Sequence, residues 1–351
     1  MTAGRPRRAA WHPGRVQRWW GLEDVPADVG ACVVTIGNFD GVHRGHRAVL
    51  ARTVAAARTD GALAVALTFD PHPRHVHAPE SAPELLTGLE DRLELLAGTG
   101  LDAVLVCTYT LDFARQSPEE FVATYLVDGL RARRVVVGHD VRFGWGNSGD
   151  LVTMSELGER FGFAVDVVDD VQGTAGDEPA TQRWSSTRVR RMLADGDVRG
   201  AAEVLGRPHR VRGKVVHGDA RGRELGFPTA NLGGTSGMVP ADGVSAGRLL
   251  RPTRPDLAPS ETALPAAVSI GTNPTFDGVG RRVEAYVLDR TDLDLYDEEV
   301  VVELVERLRP TERFADVDAL VAQMHRDVAA ARRVLGSGAA RDDDARTAAG
   351  W

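Results

Sequence analysis

A chain of 351 residues is longer than the ~250–300 residues that one hydrophobic core usually serves, so the sequence predicts two domains. Apolar residues make up 43% and the net charge is -8, which argues against a chain-wide surface for nucleic acid or an anionic membrane. No apolar run reaches the ~18–20 residues of a membrane span. Trp11, His12 and Pro13 follow the basic N-terminus where a signal peptide needs apolar residues. We therefore expect a cytoplasmic protein with no nucleic-acid or membrane partner.

The two cysteines and the single lysine argue against several kinds of site. Cys32 and Cys107 lie in short apolar runs, which favours small buried side chains over a disulfide or a cysteine-rich zinc site. Lys214 is the only lysine and precedes Val215 rather than Ser or Thr, which excludes a P-loop. Any phosphate chemistry must then use arginine, histidine, backbone amides or a metal ion.

The first half of the chain alternates strand-like and helix-like segments. Its predicted strands are 31–36, 63–69, 103–107, 135–138 and 164–168, and its predicted helices are 47–58, 84–97, 117–130 and 153–161. Ser117, Pro118 and Glu120 form the capping pattern of a helix N-terminus. Repeated βα units of this size predict a mostly parallel sheet with helices on both faces.

The pattern changes near residue 195, where glycine-rich turns bracket a short helix. Beyond Pro208, strand-like segments separated by Gly, Pro, Asn and Asp predict a small antiparallel β-barrel, followed by a C-terminal helix. The predicted strands are 210–216, 244–250, 266–270, 282–288 and 300–309, and the helix is 316–335. We expect domains at 16–195 and 207–335, flexible tails at 1–15 and 336–351, and a surface insertion at 251–264.

The loop after the first predicted strand is the strongest candidate site. It has the sequence GNFDGVHRGH (37–46) and leads into a helix. Ligands of open α/β sheets bind at the carboxyl ends of the strands. Glycines let the backbone approach an anion, and the helix N-terminus adds hydrogen-bond donors. His43 and His46 can both donate to one phosphate group; the alternative is a capping histidine and an exposed one.

Two further segments favour an anion site. Residues 185–190 (SSTRVR) start a helix, and capping alone explains the hydroxyl groups. Arginines in a first turn oppose the helix dipole, so an anion partner is the better account of Arg188 or Arg190. Residues 138–144 (GHDVRFG) end the fourth predicted strand with a polar loop at the same sheet edge.

A histidine-rich segment, 70–77 (DPHPRHVH), has a spacing that also suits a metal ion. Two prolines stiffen it and no cysteine follows nearby, so we do not expect zinc there.

The second half contains a glycine-arginine loop. Gly218, Gly222 and Gly226 make it pliable, and Arg221 and Arg223 make it positive, as a cover for nucleotide phosphates requires. Just beyond it, the extended segment 229–231 carries a threonine and an asparagine, two residues apart, on one side. Their neutral oxygens suit a magnesium ion that also binds substrate phosphates, although a hairpin with a polar turn explains these residues equally well.

The motifs of the first half resemble the adenylyltransferase module of the bacterial bifunctional riboflavin kinase/FAD synthetase family. GNFDGVHRGH, TFDPHPR, GHDVRFGWGNSGD and SSTRVR occur in the family's order, over about residues 16–195. The resemblance implies a nucleotidyltransferase-like (Rossmann-like) domain that transfers adenylyl from ATP to FMN, with His43 and His46 catalytic at the phosphates. It implies ATP contacts at Gly37, Asn38, Phe39, Asp40, His43, His46, Asp140, Ser186, Thr187 and Arg190. Val141 and Trp184 stand where the family usually has Phe and a smaller apolar residue.

The second half resembles the riboflavin kinase module of the same family, over about 207–335. The resemblance is carried by the glycine-arginine loop with PTAN, by DGV, SIGTNPTF and RVEAY, and by LRP at 308–310. It implies that Glu284 is the catalytic base beside the flavin, that Thr229 and Asn231 hold MgATP, and that Arg309 binds flavin. It also implies that Gly218 and Arg223 shape the phosphate loop. Ser245 and Asp297 replace the family's usual Tyr and Gly.

These resemblances predict a bifunctional enzyme that phosphorylates riboflavin to FMN and then adenylylates FMN to FAD with release of pyrophosphate. ATP with Mg²⁺ is the co-substrate of both steps. The alternatives are an enzyme with one active module, the other binding flavin only, and a flavin-sensing regulator without turnover. The His43/His46 pair and the set of Thr229, Asn231 and Glu284 speak against both, because a pure binder does not need a base. Without the family context, Glu284 would be interpreted as an outward residue on a half-exposed strand.

Overall fold

The computed structural model describes residues 16–169, 183–218, 222, 225–275 and 278–349. Arg223 and the predicted tail 1–15 lie outside these residues. The described chain forms two compact units. The first contains 16–83, 89–169 and 183–184, and the second contains 84–88 and the described residues from 185 onward.

The first unit is built on a six-stranded sheet in the order β1-β4-β3-β2-β5-β6, in which every pair is parallel. This confirms the predicted parallel-sheet domain. The strands are β1 (Gln17–Trp19), β2 (Cys32–Ile36), β3 (Leu63–Asp70), β4 (Ala103–Thr108), β5 (Ala132–Gly138) and β6 (Ala164–Val168). The helices are α1 (Arg44–Asp60), α2 (Pro73–His77), α3 (Leu89–Ala97), α4 (Pro118–Phe121, continued by a π-helix Val122–Gly129) and α5 (Leu151–Phe161).

Both faces of this sheet are covered. Along β3, Val65 belongs to a hydrophobic cluster with Phe121 and Met154, whereas Ala66 belongs to a second cluster with Leu50 and Leu93. Strands buried on both faces are apolar without alternation, which explains the continuous apolar runs of the sequence. The two cysteines are free and buried in these strands, as predicted, and burial raises the pKa of each thiol to about 12.

The predicted helix 84–97 is wrong in its first part. The helix begins only at Leu89, and Glu84–Gly88 belongs to the second unit, where Leu86 is fully buried. The helical spacing of the leucines in 84–88 therefore reflects burial by another part of the chain. The capping box at Ser117 is confirmed, with Glu120 bonded back to the Ser117 amide, although the following turns form a π-helix.

The second unit is a closed antiparallel barrel in the order β10-β11-β8-β7-β12-β9, which confirms the predicted barrel. Its strands are β7 (His209–Val216), β8 (Ala230–Ser236), β9 (Gly243–Leu250), β10 (Ala263–Thr275), β11 (Gly278–Val287) and β12 (Glu299–Arg309). Its helices are α6 (Ser186–Asp195), α7 (Val198–Leu205), α8 (Pro259–Thr262) and α9 (Val317–Ala349). The sequence did not predict β8, because Gly233 and Gly234 weaken its strand pattern.

The C-terminal helix α9 covers one side of the barrel. Val328, Ala331 and Leu335 are buried in a cluster with Phe227 and Leu288. We predicted a tail from 336, but the structure continues α9 to Ala349, in a stretch rich in the helix formers Ala and Arg. The helix α6, which we assigned to the first domain, belongs to the second unit.

The predicted surface insertion 251–264 is shorter than expected. Its last two residues are the first of β10, and its first residue, Arg251, is buried in a two-bond ion pair with Glu298. Residues 252–262, with the short helix α8, form the link between β9 and β10.

Candidate functional site

The loops after β2 and β5 meet at the point where the sheet order reverses. β2 lies between β3 and β5, with β4 and β1 beyond one neighbour and β6 beyond the other. In open parallel sheets the crevice at such a point, at the carboxyl ends of the strands, is the usual ligand site. The loop 37–46, hereafter the histidine loop, follows β2, and the loop with Asp140 follows β5. The topology thus brings two predicted segments to one place.

The histidine loop has an unusual backbone. Phe39, Gly41 and Val42 have φ angles of 49°, 81° and 40°. Positive φ is rare for non-glycine residues and strained for a β-branched one, and such strain concentrates at functional sites. A Cβ at Gly45 would lie 3.1 Å from the His43 ring, so the glycine admits a close approach of that ring.

His43 and His46 are held against each other. The His43 Nδ1 accepts a hydrogen bond of 3.3 Å from the His46 backbone N–H and caps α1, so His43 carries its proton on Nε2. The two rings stack with centroids 3.6 Å apart. Burial, followed by the neighbouring His43 and Arg183, holds the pKa of His46 well below its usual value, so this ring is neutral at pH 7. Its Nδ1 is buried and has no hydrogen-bond partner among the residues that the structure describes.

Arg92 supports the histidine loop and was missed by the sequence reading. Its guanidinium is 2% exposed and donates to the carbonyl of Asn38 at 3.1 Å and to that of Phe69 at 2.9 Å. These bonds tie the ends of β2 and β3 together. A lone arginine among the leucines of α3 is the signal that would have pointed to it.

Asp140 is paired with a second residue that the sequence reading missed. Arg183 donates to Asp140 at 2.5 Å, and the same arginine contributes to the lowered pKa of His46. Arg183 therefore pairs with the loop after β5, and its positive charge acts on the histidine loop. Beside it, the Trp184 ring lies under the Arg44 guanidinium, 5.3 Å from its carbon.

Ser186, Thr187 and Arg190 lie on α6, in the second unit. The capping residue is Ser185, whose hydroxyl accepts from the Arg188 amide at 3.3 Å. Arg190 donates to the Glu84 carbonyl at 2.7 Å. The structure does not gather these three residues with His43 and His46 in one unit.

The barrel brings the kinase-type residues together. Glu284 on β11 stands directly opposite Asn231 on β8, so their side chains share a face. The Asn231 Nδ2 donates to the Thr229 carbonyl at 3.4 Å, and a Cβ at Gly218 would collide with the Asn231 amide. Glu284 is 31% exposed and lies 3.7 Å from the Arg282 guanidinium. Gly218, Thr229 and Asn231 thus converge with Glu284, which is distant from them in the sequence; Arg223 lies outside the described residues.

A cavity of about 320 Å³ has Thr229 in its wall, together with Ala230 and Ala285, the strand neighbours of Asn231 and Glu284. Its walls come from β7, β8 and β11 and from the loop after β11, and they include Thr229, Arg290 and Tyr296. Tyr296 stacks on His217 with ring centroids 4.0 Å apart. The lining combines apolar and polar groups, as sites for small organic ligands do.

Arg309 is engaged elsewhere in the second unit. Its guanidinium makes a bidentate pair with Asp327 of α9, at 2.9 and 2.7 Å, and donates to the Pro310 carbonyl. Asp327 raises the pKa of Arg309.

The histidine-rich segment after β3 is satisfied locally. His72 caps α2, the His75 Nε2 lies 3.0 Å from the Pro83 carbonyl, and the His77 Nε2 lies 2.9 Å from the Tyr109 hydroxyl. Among the described residues, no three His, Cys, Asp or Glu side chains are grouped as metal ligands. Within the same residues, no helix combines the length and the apolar character needed to cross a membrane.

Comparisons with known proteins match the two halves separately and together. The family model described as FAD synthetase matches residues 25–182, and the one described as riboflavin kinase matches residues 205–335. The bifunctional riboflavin kinase/FMN adenylyltransferase of Escherichia coli (strain K12) is 38% identical over 315 residues, which is 90% of this chain and 96% of that protein. The protein of the same name from Pseudomonas fluorescens is 37% identical over 322 residues, 92% of this chain and 98% of that protein. A crystal structure described as a macrolide-efflux protein from Streptococcus pneumoniae superposes with a TM-score of 0.77 at 30% identity, covering 90% of this chain and 98% of that chain.

Proposed function

Because the chain belongs to the bifunctional riboflavin kinase/FMN adenylyltransferase family, it phosphorylates riboflavin to FMN and adenylylates FMN to FAD, and we propose here which residues carry the two reactions. Riboflavin, FMN and ATP are the substrates. We assign the first reaction to 207–335 and the second to 16–195, with ATP bound as its Mg²⁺ complex in both. We propose a cytoplasmic setting, and the net charge of -8 supports the absence of nucleic-acid and membrane partners.

In adenylyl transfer, an oxygen of the FMN phosphate attacks the α-phosphorus of ATP and pyrophosphate leaves. His43 and His46 act at the phosphates, and 37–40 hold them with backbone groups. The neutral state of His46 supports this role, because a neutral imidazole donates one hydrogen bond without a buried charge to compensate. The buried, unpartnered Nδ1 of His46 is a polar atom that a bound ligand would satisfy.

Four further residues complete the proposed ATP site. Asp140 orients the nucleotide from the loop after β5, with Arg183 beside it. Ser186, Thr187 and Arg190 contact the triphosphate, and their position in the first turns of α6 supports this, because a helix N-terminus favours anions.

In the kinase step, Glu284 takes the proton of the ribityl hydroxyl as that oxygen attacks the γ-phosphorus of ATP and ADP leaves. Gly218 and Arg223 cover the phosphates. We assign flavin binding to Arg309 from the family resemblance alone, since its guanidinium is paired with Asp327. The cross-strand pairing of Glu284 with Asn231 is the observation that carries this assignment, and a cavity lined by Thr229 supports it.

Thr229 and Asn231 would hold the magnesium ion. Their neutral oxygens fit a cation whose remaining ligands are water and phosphate oxygens. The bond from the Asn231 Nδ2 to the Thr229 carbonyl supports the fit, because it leaves the Asn231 carbonyl oxygen as the ligand atom. When bound, the ion neutralises phosphate charge and aligns the γ-phosphate for in-line transfer.

Chromatography of the products made from riboflavin and MgATP by the purified protein tests the assignment of both reactions to this one chain. We expect FMN first and FAD afterwards. If FMN accumulates and no FAD forms, only the barrel is active; if neither forms, the regulator without turnover is the better description.

A further inference from the structure

Among the described residues, Arg290 is the one cationic side chain on the wall of the cavity beside Thr229, and it is held on two sides. The Arg290 Nη1 donates to both carboxylate oxygens of Glu261, at 3.0 and 2.9 Å. Its Nε and Nη2 donate to the two oxygens of Asp292, at 2.7 and 2.9 Å. Two carboxylates thus fix the plane of the guanidinium, since bidentate pairs constrain its orientation.

The two carboxylates come from different parts of the chain. Asp292 lies two residues from Arg290, in the loop after β11. Glu261 lies on α8, within the link 252–262 between β9 and β10. A segment that looks like a surface insertion in the sequence therefore reaches a wall of the cavity.

Stability does not explain this arrangement well. Glu261 is 37% exposed and Arg290 is 27% exposed. Ion pairs with this degree of exposure contribute roughly 0–1 kcal/mol to folding. The other arginine pair in the link, Arg254 with Asp256, has similar bonds at 3.0 and 2.9 Å, but neither residue lines the cavity. The two pairs therefore allow a matched comparison.

The charges around Arg290 determine whether this part of the cavity wall favours the phosphates or the base of a nucleotide. One guanidinium between two carboxylates has a net charge of -1, which repels a triphosphate. The same guanidinium has a planar face, and such faces stack on aromatic rings. Val215, Leu293 and Leu295 add apolar surface to the cavity. The wall therefore favours a planar, uncharged ring over a phosphate.

We propose that Glu261 is a positioning residue of the kinase reaction: by holding Arg290 on the cavity wall, it fixes the surface on which the nucleotide base packs. The proposal rests on the proposed function, in which the nucleotide phosphates lie at Thr229 and Asn231. It gives the link 252–262 a role in nucleotide recognition and predicts that the wall helps the enzyme to distinguish ATP from GTP.

The test compares Glu261→Gln with Asp256→Asn in the full-length protein. The initial rate of FMN plus FAD formation is measured at saturating riboflavin while ATP or GTP is varied. For Glu261→Gln we expect the KM for ATP to rise roughly fivefold with kcat within twofold, and the preference for ATP over GTP to fall. Asp256→Asn should match the wild type in all three quantities. FAD formation from supplied FMN should be unchanged in both variants.

Two further variants keep the result interpretable. Asp292→Asn removes the other carboxylate and should also raise the KM for ATP, which covers the case in which Glu261→Gln does not fold. Thr229→Ala tests whether the nucleotide phosphates bind at Thr229, as the proposed function requires. If Thr229→Ala raises the KM while Glu261→Gln and Asp292→Asn leave both KM and base preference unchanged, Arg290 is a structural ion pair and the proposal is wrong. If Thr229→Ala changes nothing but Glu261→Gln raises the KM, the positioning role stands and the proposed magnesium role of Thr229 fails.

Discussion

The histidine loop and the barrel site hold their candidate residues in opposite ways. In the histidine loop, ten consecutive residues form the site, with positive φ angles at Phe39 and Val42 and a His43 ring that is 6% exposed. In the barrel, the candidate residues are spread from Gly218 to Glu284 and meet because β8 pairs with both β7 and β11. Glu284 there is 31% exposed and next to charged groups.

This difference concerns which part of the fold each reaction depends on. The histidine loop depends on local backbone strain and on the buried Arg92 beneath it, so a small change there disturbs several groups at once. The barrel site depends on register between strands that the whole barrel stabilises, so single side chains can be changed while the others keep their positions. The two reactions of one chain should therefore be separable by mutation.

The strongest test of that separation is the double substitution His43→Ala/His46→Ala. We expect FAD formation from FMN to fall below detection, because both imidazoles at the phosphates are lost, while FMN formation from riboflavin stays near the wild-type rate. Each reaction is measured by chromatography with its own starting flavin. An unchanged FAD yield would remove the histidine loop from the adenylyl transfer site.

Glu284→Gln is the reciprocal test. Glutamine keeps the size of the side chain but not its basic carboxylate, so riboflavin phosphorylation should slow by ~10²–10⁴-fold, the usual effect of losing a general base. FAD formation from supplied FMN should stay near wild type. Retention of full kinase activity would make Glu284 an ordinary half-exposed strand residue, and loss of both activities would indicate misfolding or shared catalysis.

The same contrast explains how much the sequence could predict. The histidine loop was predictable in place and content, because strand, glycines, histidines and helix are contiguous. The stacking of the two rings and the lowered pKa of His46 were not, because they depend on burial and on Arg183, more than 130 residues away in the sequence. Likewise, Arg92 shows its role only through its bonds to two strand ends.

In the barrel, the fold class was predictable but the site was not, apart from the family resemblance. The pairing of Glu284 with Asn231 is a matter of strand register, and β8 itself was missed because of its glycines. Residues 84–88 look helical in the sequence but belong to the second unit, where Leu86 is buried by residues that the local pattern does not include. Local sequence patterns predict local structure well. They predict the pairing of distant strands only through resemblance to a known family.

The variant Thr229→Ala tests whether nucleotide binding and the chemical step depend on different residues of the barrel site. Loss of one oxygen ligand to MgATP should raise the KM for ATP in riboflavin phosphorylation by roughly tenfold, the equivalent of one charge-assisted contact. The rate at saturating ATP should fall much less than in Glu284→Gln. The measurement is the initial rate of FMN plus FAD formation against ATP concentration. A fall in kcat with an unchanged KM would place Thr229 outside nucleotide binding.

The smallest expected effect concerns the pH dependence of stability in the histidine loop. The pKa of folded His46 is lowered well below its usual 6.5, so below pH 6.5 the unfolded chain binds a proton that the folded loop excludes. Stability is therefore full above pH 6.5 and declines as the pH falls from 6.5 toward the lowered folded pKa. Between pH 6.5 and 5.5 this one residue should remove about 1 kcal/mol from the free energy of unfolding of the first unit.

His46→Gln should abolish that decline, since glutamine does not titrate. Native-state hydrogen exchange of the α1 amides, corrected for intrinsic exchange rates, reads the opening free energy of this region at each pH. His75→Gln, which removes a histidine of the same unit outside the histidine loop, is the matched control and should keep the wild-type dependence. If His46→Gln and the wild type lose the same free energy between pH 6.5 and 5.5, the folded loop accepts a proton on His46. The neutral imidazole donor proposed for adenylyl transfer would then lose its physical basis, whereas the barrel site, which contains no histidine among its proposed catalytic groups, would be unaffected.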